Sequence, residues 1–454
     1  MKNMTIRHAV ESCCCAELIN CENPDAELGR VVIDSRQISA GDLFVAYKGE
    51  HADGHDYVLK AKELGAACSL VQRYVEGGGA QILVPDVQDA LEAIAGEYRK
   101  GLALPIIGIT GSVGKTSAKE MISAVLAEKF NVHKTEGNLN NQIGVPMTLS
   151  RITDEHEAAV VEMGISDFGE MSRLSQMVRP QIAVFTVIGH AHLEFLHDLD
   201  GVFEAKTEML DFMDDDAIVI FNGDDSQLRR LNCRQKKISF GISDFCDVRA
   251  KEVKAEAGTT SCKIVYGDRE LNVSIPAFGQ HMVYAALEGA AVGFVMGLSD
   301  AEIIRGIASY KTVGRRAAVV DTGFLTLIDD CYNANPDSIK SGIDSICAMD
   351  GRKVCILGDM LELGENESEM HYDVGVYAAE KGIDLVIANG PISADISRGA
   401  GDCGIYFESK EELISALSGL LKKGDRVLVK ASRSMHFEEI SEAIKSLNTG
   451  ESDE

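Results

Sequence analysis

Basic residues are scarce in this chain: 44 Lys and Arg stand against 71 Asp and Glu, a formal charge of −27. A molecule of that sign repels polyanions, which argues against nucleic acid as a partner and leaves any anionic small molecule dependent on a local basic pocket. Long apolar runs are missing too. No stretch approaches the length that spans a bilayer, and residues 1–8 lack the apolar core of a signal peptide. The expectation is a cytoplasmic protein, monomeric and without membrane insertion. Cys-x-x-Cys pairs are absent although the chain has 12 cysteines. Cys13, Cys14 and Cys15 are consecutive, and Cys68, Cys262, Cys347 and Cys355 sit in apolar runs. Zinc and thioredoxin-like readings lack their spacing, so small buried thiols are expected. Internal repeats and low-complexity tracts are lacking as well. What remains, at 454 residues, is a globular chain of about three domains.

The pattern that is present alternates strand and helix. In the first hundred residues, apolar β-branched runs at 31–33 and 43–46 are followed by the polar loop 49–55 and an αβ unit over 61–71. Residues 99–105 read as a linker, punctuated by Gly101 and Pro105. Strands are expected at 158–161, 182–188 and 217–221, and again at 325–328, 353–357, 385–388 and 427–429, with helices such as 336–346 and 371–381 between them. The spacing predicts an α/β protein of three domains, 1–102, 103–313 and 314–454. The central one holds a mostly parallel sheet, and the last is a second, smaller doubly wound sheet. The polar tail 448–454 is expected to fray.

Residues 108–117, Gly-Ile-Thr-Gly-Ser-Val-Gly-Lys-Thr-Ser, carry the most chemistry. A buried run containing Ile106, Ile107 and Ile109 leads into a glycine turn, which opens a helix with Met121, Ile122, Val125 and Leu126 on its buried face. Strand, glycine turn and helix in that order make a phosphate-binding loop. Gly111 and Gly114 let backbone amides turn inward, Lys115 reaches the β- and γ-phosphates, and Thr116 offers a hydroxyl to Mg²⁺. Ser112 and Ser117 flank it. The spacing departs from the strict consensus, since Ile109 stands five before Gly114. The expected ligand is a nucleoside triphosphate, ATP, with Mg²⁺.

Ligands of open parallel sheets bind beyond the carboxyl ends of the strands. Glu162 follows one such strand and can complete the Mg²⁺ shell of Thr116, or else stand as a helix N-terminal carboxylate. His190 and His192 follow another, as second-metal ligands, phosphate donors or structural side chains. Lys206 lies in a helical stretch with apolar neighbours at 202, 203, 209 and 210, and its residues alone read as a solvated helix lysine.

The ordered series of motifs resembles the Mur ligase family over essentially the whole chain. It comprises Asp34-Ser35-Arg36, 41–46 and 53–55, the phosphate loop, then Thr135-Glu136-Gly137-Asn138-Leu139-Asn140-Asn141 running on to Pro146. Glu162-Met163-Gly164, Ala191-His192-Leu193-Glu194 and Ala205-Lys206-Thr207-Glu208 follow. The last third carries Asp330-Cys331-Tyr332-Asn333-Ala334-Asn335-Pro336, residues 357–364, and Lys430-Ala431-Ser432-Arg433. The resemblance, closest to the dipeptide-adding branch, implies an ATP-dependent ligase that joins D-alanyl-D-alanine to UDP-N-acetylmuramoyl-tripeptide in peptidoglycan precursor synthesis. It further implies that domain 1–102 binds the UDP-sugar peptide (Ser35, Arg36), that 103–313 binds ATP, and that 314–454 binds the amine substrate. Thr135, Asn138, Asn141, Asn333 and Asn335 are implied substrate contacts. His281, Arg315 and Asp330 are implied nucleotide contacts, and Lys115, His192 and Lys206 catalytic residues. Thr116 and Glu162 would hold one Mg²⁺, and His192 with a carbamylated Lys206 the second.

Two departures stand out. The family's Gly-x-His-Asn-x-x-Asn appears as Gly279-Gln280-His281-Met282-Val283-Tyr284-Ala285, without either asparagine, which bears on adenine recognition. Its Lys-Gly-Ser-Arg has Ala431 in place of glycine, harmless unless that residue needs φ > 0. A ligase for another acceptor and a non-catalytic regulatory homologue are the alternative readings.

Overall fold

The computed structural model describes residues 1–49, 52–256 and 258–447. The tail 448–454, expected to fray, lies outside the described residues, as do two residues of the 49–55 loop. Among the described residues the chain forms three sheets in succession. The first has five strands in the order Glu17–Ile19, Gln81–Leu83, Cys68–Val71, Leu43–Val45, Val31–Val32, parallel except for the first pair. The third has six, in the order Ala318–Asp321, Thr326–Asp329, Arg426–Lys430, Lys353–Gly358, Leu385–Asn389, Gly404–Phe407, again with a single antiparallel pair at one edge.

The central sheet of nine strands carries the phosphate loop. Its strand Ile106–Thr110 lies between Ala158–Glu162 and Ile182–Phe185, both parallel to it. The chain passes from the loop strand to Val132–Lys134 and Ala158–Glu162 on one side, then crosses to Ile182–Phe185 on the other. The two crossovers leave in opposite directions, which opens a crevice at the strand ends, the usual ligand position of such sheets. Alternation along the strands fills both faces. Ile107, Ile109, Val160 and Val184 pack with the helices Lys115–Leu126, His281–Val295 and Asp300–Ala308. Ile106, Ala159, Val161 and Phe185 pack with Gly144–Ser150, Glu170–Val178 and Leu199–Thr207.

The structure differs from the sequence reading in three places. The strand expected over 182–188 ends at Phe185. There Thr186 Oγ1 donates to Val113 O at 2.5 Å and Ser112 N donates to Val187 O at 2.8 Å, so the chain turns away to brace the phosphate loop. The strand-then-helix repeat also breaks after Gly241. Val248–Glu256, Thr259–Tyr266 and Arg269–Ile275 form an antiparallel meander that extends the sheet edge. Finally, all 12 cysteines are free thiols, but only five are buried (Cys68, Cys246, Cys262, Cys331 and Cys355), while Cys14 and Cys15 are exposed.

The phosphate-loop helix is held by close backbone contact. A Cβ built on Gly306 of Asp300–Ala308 would stand 2.4 Å from Val125 Cα. Gly306→Ala is therefore expected to push two packed helices apart and to cost about 1–3 kcal/mol, more than the helix-propensity gain of alanine. A lower denaturant midpoint checks this; a raised one would show that the helices separate freely.

Candidate active site

The loop between Thr110 and Lys115 depends on glycine for contact and for conformation. Gly111 has φ +152°, and a Cβ there would lie 1.9 Å from Thr186 Oγ1; Gly114 caps the helix at φ +89°. Ser112 Oγ donates to Gly189 O and accepts from Gly189 N, both at 2.9 Å, so the loop is bound to the neighbouring strand end. Lys115 folds back and donates from Nζ to Gly111 O at 2.6 Å. Burial and the charge of Arg316 lower its pKa, while Glu162 opposes them. Ser117 lies against Tyr310. The result is a glycine-turned helix N-terminus beside a desolvated ammonium, an arrangement suited to phosphate.

Register places Glu162 opposite Ile109, at the end of the adjacent strand. Thr116 Oγ1 donates to Glu162 Oε2 at 3.0 Å, and Asn140 Nδ2 donates to Oε1 at 2.8 Å. Glu162 is 1% exposed and stands in the middle of the site, as the strand-end reading expects and the helix-cap alternative does not. Thr135 differs from its implied role. It is fully buried behind the carboxylate, where its Oγ1 accepts from Glu162 N at 3.0 Å, so it braces Glu162 and faces no open space.

Lys206 overturns the solvated-helix reading. It lies on Leu199–Thr207 with no exposure at all, and its Nζ has no hydrogen-bond partner among the described residues. Burial first, then the charge of Lys115, drives its pKa well below 10.5. An ammonium so placed would be desolvated and without a hydrogen-bond partner, so its surroundings favour the neutral amine with its free electron pair.

Two histidines link the central sheet to the third. His192, at φ 57°, hydrogen-bonds through Nδ1 to Glu362. His190 N donates to Asp337 Oδ2 at 2.6 Å and its Nδ1 lies 3.0 Å from the same oxygen, which raises the histidine pKa. Beside them a cleft of about 1070 Å³ opens between the two units, lined by Leu193, Glu194, Leu363 and Glu367 among others.

The remaining implied residues fall in three groups. Around the nucleotide face, the His281 ring lies 3.4 Å from Ser345 Oγ and feels Asp330 and Lys430, and burial lowers its pKa. Asp330 accepts from Lys430 Nζ at 2.6 Å. Arg315 instead turns to Asp329 and Glu442, at 2.8 and 2.6 Å, and the guanidinium whose charge reaches Lys115 belongs to Arg316, which stacks 3.9 Å from the Tyr332 ring centre. In the second group the asparagines serve local structure. Asn141 Oδ1 accepts from Gly144 N at 2.9 Å, and Asn335 caps the helix Pro336–Cys347; Asn138 and Asn333 are exposed, and Asn333 O accepts from Lys430. The third group, Ser35 and Arg36, belongs to the first sheet: Ser35 is buried and Arg36 pairs with Asp34. Met282 and Ala285, which replace the two asparagines, are 3% and 4% exposed and belong to the core. Ala431 is outside the positive-φ region, so its methyl is tolerated. Sequence reasoning missed Lys119, Asn140, Arg316, Asp337 and Glu362 as site residues. Lys119 carries a signal one helical turn after Lys115, and Asn140 and Glu362 lie within motifs the sequence already marks; Arg316 and Asp337 carry none.

A phosphate loop at the switch point of a parallel sheet, with a strand-end carboxylate and a further α/β unit facing it, defines a multi-domain phosphate-loop protein that handles nucleoside triphosphates. The Mur ligase family catalytic-domain description matches residues 27–99, the Mur ligase middle domain 109–293, and the Mur ligase glutamate ligase domain 315–433. The chain belongs to the Mur ligase family. It is 36% identical to UDP-N-acetylmuramoyl-tripeptide--D-alanyl-D-alanine ligase of Bacillus subtilis, over 90% of this chain and 92% of the relative. Its fold superposes on a crystal structure of MurF from Acinetobacter baumannii with TM-score 0.89, at 29% identity and 97% coverage of both chains. It also superposes on MurF ligase from Thermotoga maritima in complex with ADP, with TM-score 0.84, 29% identity, and 92% and 97% coverage.

The Lys206 amine makes stability depend on pH. In CO₂-free buffer burial holds the folded-state pKa well below the 10.5 of the unfolded chain, so between the two the unfolded state binds the extra proton and stability rises with pH toward 10.5. Lys206→Met is expected to raise the denaturant midpoint at pH 7, by an amount that shrinks as pH approaches 10.5. A midpoint below wild type at pH 7 would contradict a neutral, unpartnered amine.

Proposed function

We propose that this protein uses ATP to join D-alanyl-D-alanine to the terminal carboxylate of UDP-N-acetylmuramoyl-tripeptide, in the cytoplasm, as a step of peptidoglycan precursor synthesis and thus of cell-wall growth and division. The observation that carries the reading is the intact phosphate loop with Thr116 and Glu162 at 3.0 Å, inside a chain similar over 90% and 94% of its length to ligases of that name from Bacillus subtilis and Escherichia coli. The units 1–102, 103–313 and 314–454 then take UDP-sugar peptide, ATP and dipeptide in turn.

A carboxylate at neutral pH resists attack by an amine, so it is first activated. The acceptor carboxylate oxygen attacks the γ-phosphorus, and the bond to the β-γ bridging oxygen breaks, leaving ADP and an acyl phosphate. The dipeptide amine attacks the acyl carbon, and inorganic phosphate departs. The loop amides from Val113 to Ser117 hold the phosphates, while Ser112 N stays tied to Val187 O. Lys115 leaves Gly111 O to follow the transferring group, where its charge offsets that of the equatorial oxygens. Thr116 and Glu162 are hard oxygen donors suited to Mg²⁺, which when bound neutralises phosphate charge. Arg315, released from Asp329 and Glu442, or Arg316 on Tyr332, then meets the phosphates when the third unit closes. Asp330 meets the ribose, and closure excludes water from the acyl phosphate.

Lys206 fits carbamylation for a physical reason. Its neutral amine attacks CO₂, an N–C bond forms, and one proton passes to solvent, leaving an anionic carbamate where a cation is unfavourable. That group supplies the oxygens a second cation needs and that the free lysine lacks. His192 suits the same site, because a ring that donates through Nδ1 to Glu362 presents the Nε2 lone pair outward, the usual arrangement of carboxylate and metal-ligating histidine.

ADP release by the pure protein is expected to require both UDP-N-acetylmuramoyl-tripeptide and D-alanyl-D-alanine. Equal phosphate release with glutamate or a diamino acid as the amine would overturn the dipeptide assignment. Lys115→Ala should lower kcat by about 10²–10³-fold with the fold intact, and Lys206→Ala should be similarly impaired but partly restored by formate or acetate. Full activity of Lys206→Ala in CO₂-free buffer would rule out the carbamate.

A further inference from the structure

Lys119 has no part in the chemistry above, yet it is one of the most deeply buried charges in the protein, with its side chain 1% exposed. It lies one turn beyond Lys115 on Lys115–Leu126, three residues after Thr116, and so faces the same strand end. Desolvating an ammonium to this degree is costly unless charge and hydrogen-bond partners surround it. The partners come from three separate segments. Glu120 Oε1 lies 3.2 Å from Nζ, Glu162 Oε2 lies 3.8 Å away, and Nζ donates to Gly137 O at 3.3 Å.

These contacts are not interchangeable. Glu120 has a second cation, because Lys134 also bonds it. Glu162 receives hydrogen bonds from Thr116 and Asn140, and Lys119 is the cation within ion-pair distance of it. Asn140 and Gly137 belong to one loop, residues 135–143, whose first residue also supports Glu162 from behind through the Thr135 hydroxyl. The loop is thus joined to the carboxylate twice, directly by Asn140 and through the ammonium of Lys119 by the Gly137 carbonyl.

We propose that Lys119 is a positioning residue that locks the 135–143 loop to the Glu162 carboxylate, so that one buried ammonium sets both the loop and the cation-binding oxygens. The inference rests on the assignment of Glu162 to a divalent cation, but on neither the acceptor nor the amine substrate. Removing the ammonium leaves the Glu162 carboxylate held by Thr116 and Asn140 alone and takes from the Gly137 carbonyl its tie to the helix. Loss of such an outer partner typically weakens a metal site by about 10–100-fold. A lysine that served stability alone would leave cation affinity untouched.

The test uses the full chain with ADP and Mn²⁺, reading bound Mn²⁺ by electron paramagnetic resonance and loop amides by deuterium exchange. In Lys119→Met the Mn²⁺ dissociation constant is expected to rise about tenfold, and the amides of 136–141 to exchange faster. Lys119→Arg, which keeps the charge and the donors, is expected to stay near wild type in both. Lys119→Gln takes the place of the methionine variant should that fail to fold, with the same expectation. Unchanged or tighter Mn²⁺ binding in a folded methionine or glutamine variant overturns the proposal, as does an arginine variant as weak as methionine. Because no peptide substrate enters the assay, a wrong substrate assignment would show as missing turnover while these binding results stand.

Discussion

Positive charge shut away from water is the constraint around which this site is arranged. Lys115, Lys119 and Lys206 all approach the carboxyl end of the central sheet, where burial lowers the pKa of Lys115 and of Lys206. They meet the constraint differently. Lys119 is compensated by two carboxylates and a carbonyl, Lys115 leans on one loop carbonyl, and Lys206 has no hydrogen-bond partner among the described residues, its pKa driven down by burial and Lys115 against the pull of Glu170. A buried Lys115 ammonium at a glycine-turned helix N-terminus is completed by an anion. A triphosphate suits it, and so does a carbamate on Lys206.

The same strand ends position the third sheet. His190 and His192 reach Asp337 and Glu362 across the junction, and Arg316 projects its charge back to Lys115. Acyl transfer with three substrates is a problem of alignment, in which orientation alone can be worth about 7–11 kcal/mol. Hydrogen bonds made at the edge of the reacting region, between groups that also serve the chemistry, connect the placement of that sheet to the state of the site.

Much of this architecture was legible from local pattern. Apolar runs of four or five residues alternating with helical stretches specify a parallel sheet, and the Gly-Lys-Thr turn after one of them specifies where phosphate binds. Glu162 was legible because a strand end has one direction in which to point. The antiparallel meander after Gly241 was not, because its strands (Val248–Glu256, for instance) carry charge on their solvent faces and lack the apolar run that marks the others. The asparagines Asn141 and Asn335 read as ligand contacts from the motif, whereas local geometry uses both to cap helices.

The sequence by itself determined the class of fold, the phosphate loop and the order of the three units, since each follows from periodicity and spacing over a few residues. Only the tertiary structure decided the state of the lysines and the partners of the arginines. Lys206 reads as a surface residue on its own helix, yet it is fully enclosed, and burial with the charge of Lys115 drives its pKa well down. Arg315 and Arg316 are adjacent in the chain, yet one faces Asp329 and the other Lys115. Desolvation and Coulomb interaction depend on what surrounds a group in space, and that is set by segments distant in the chain, as Lys115 is from Lys206 and from Arg316.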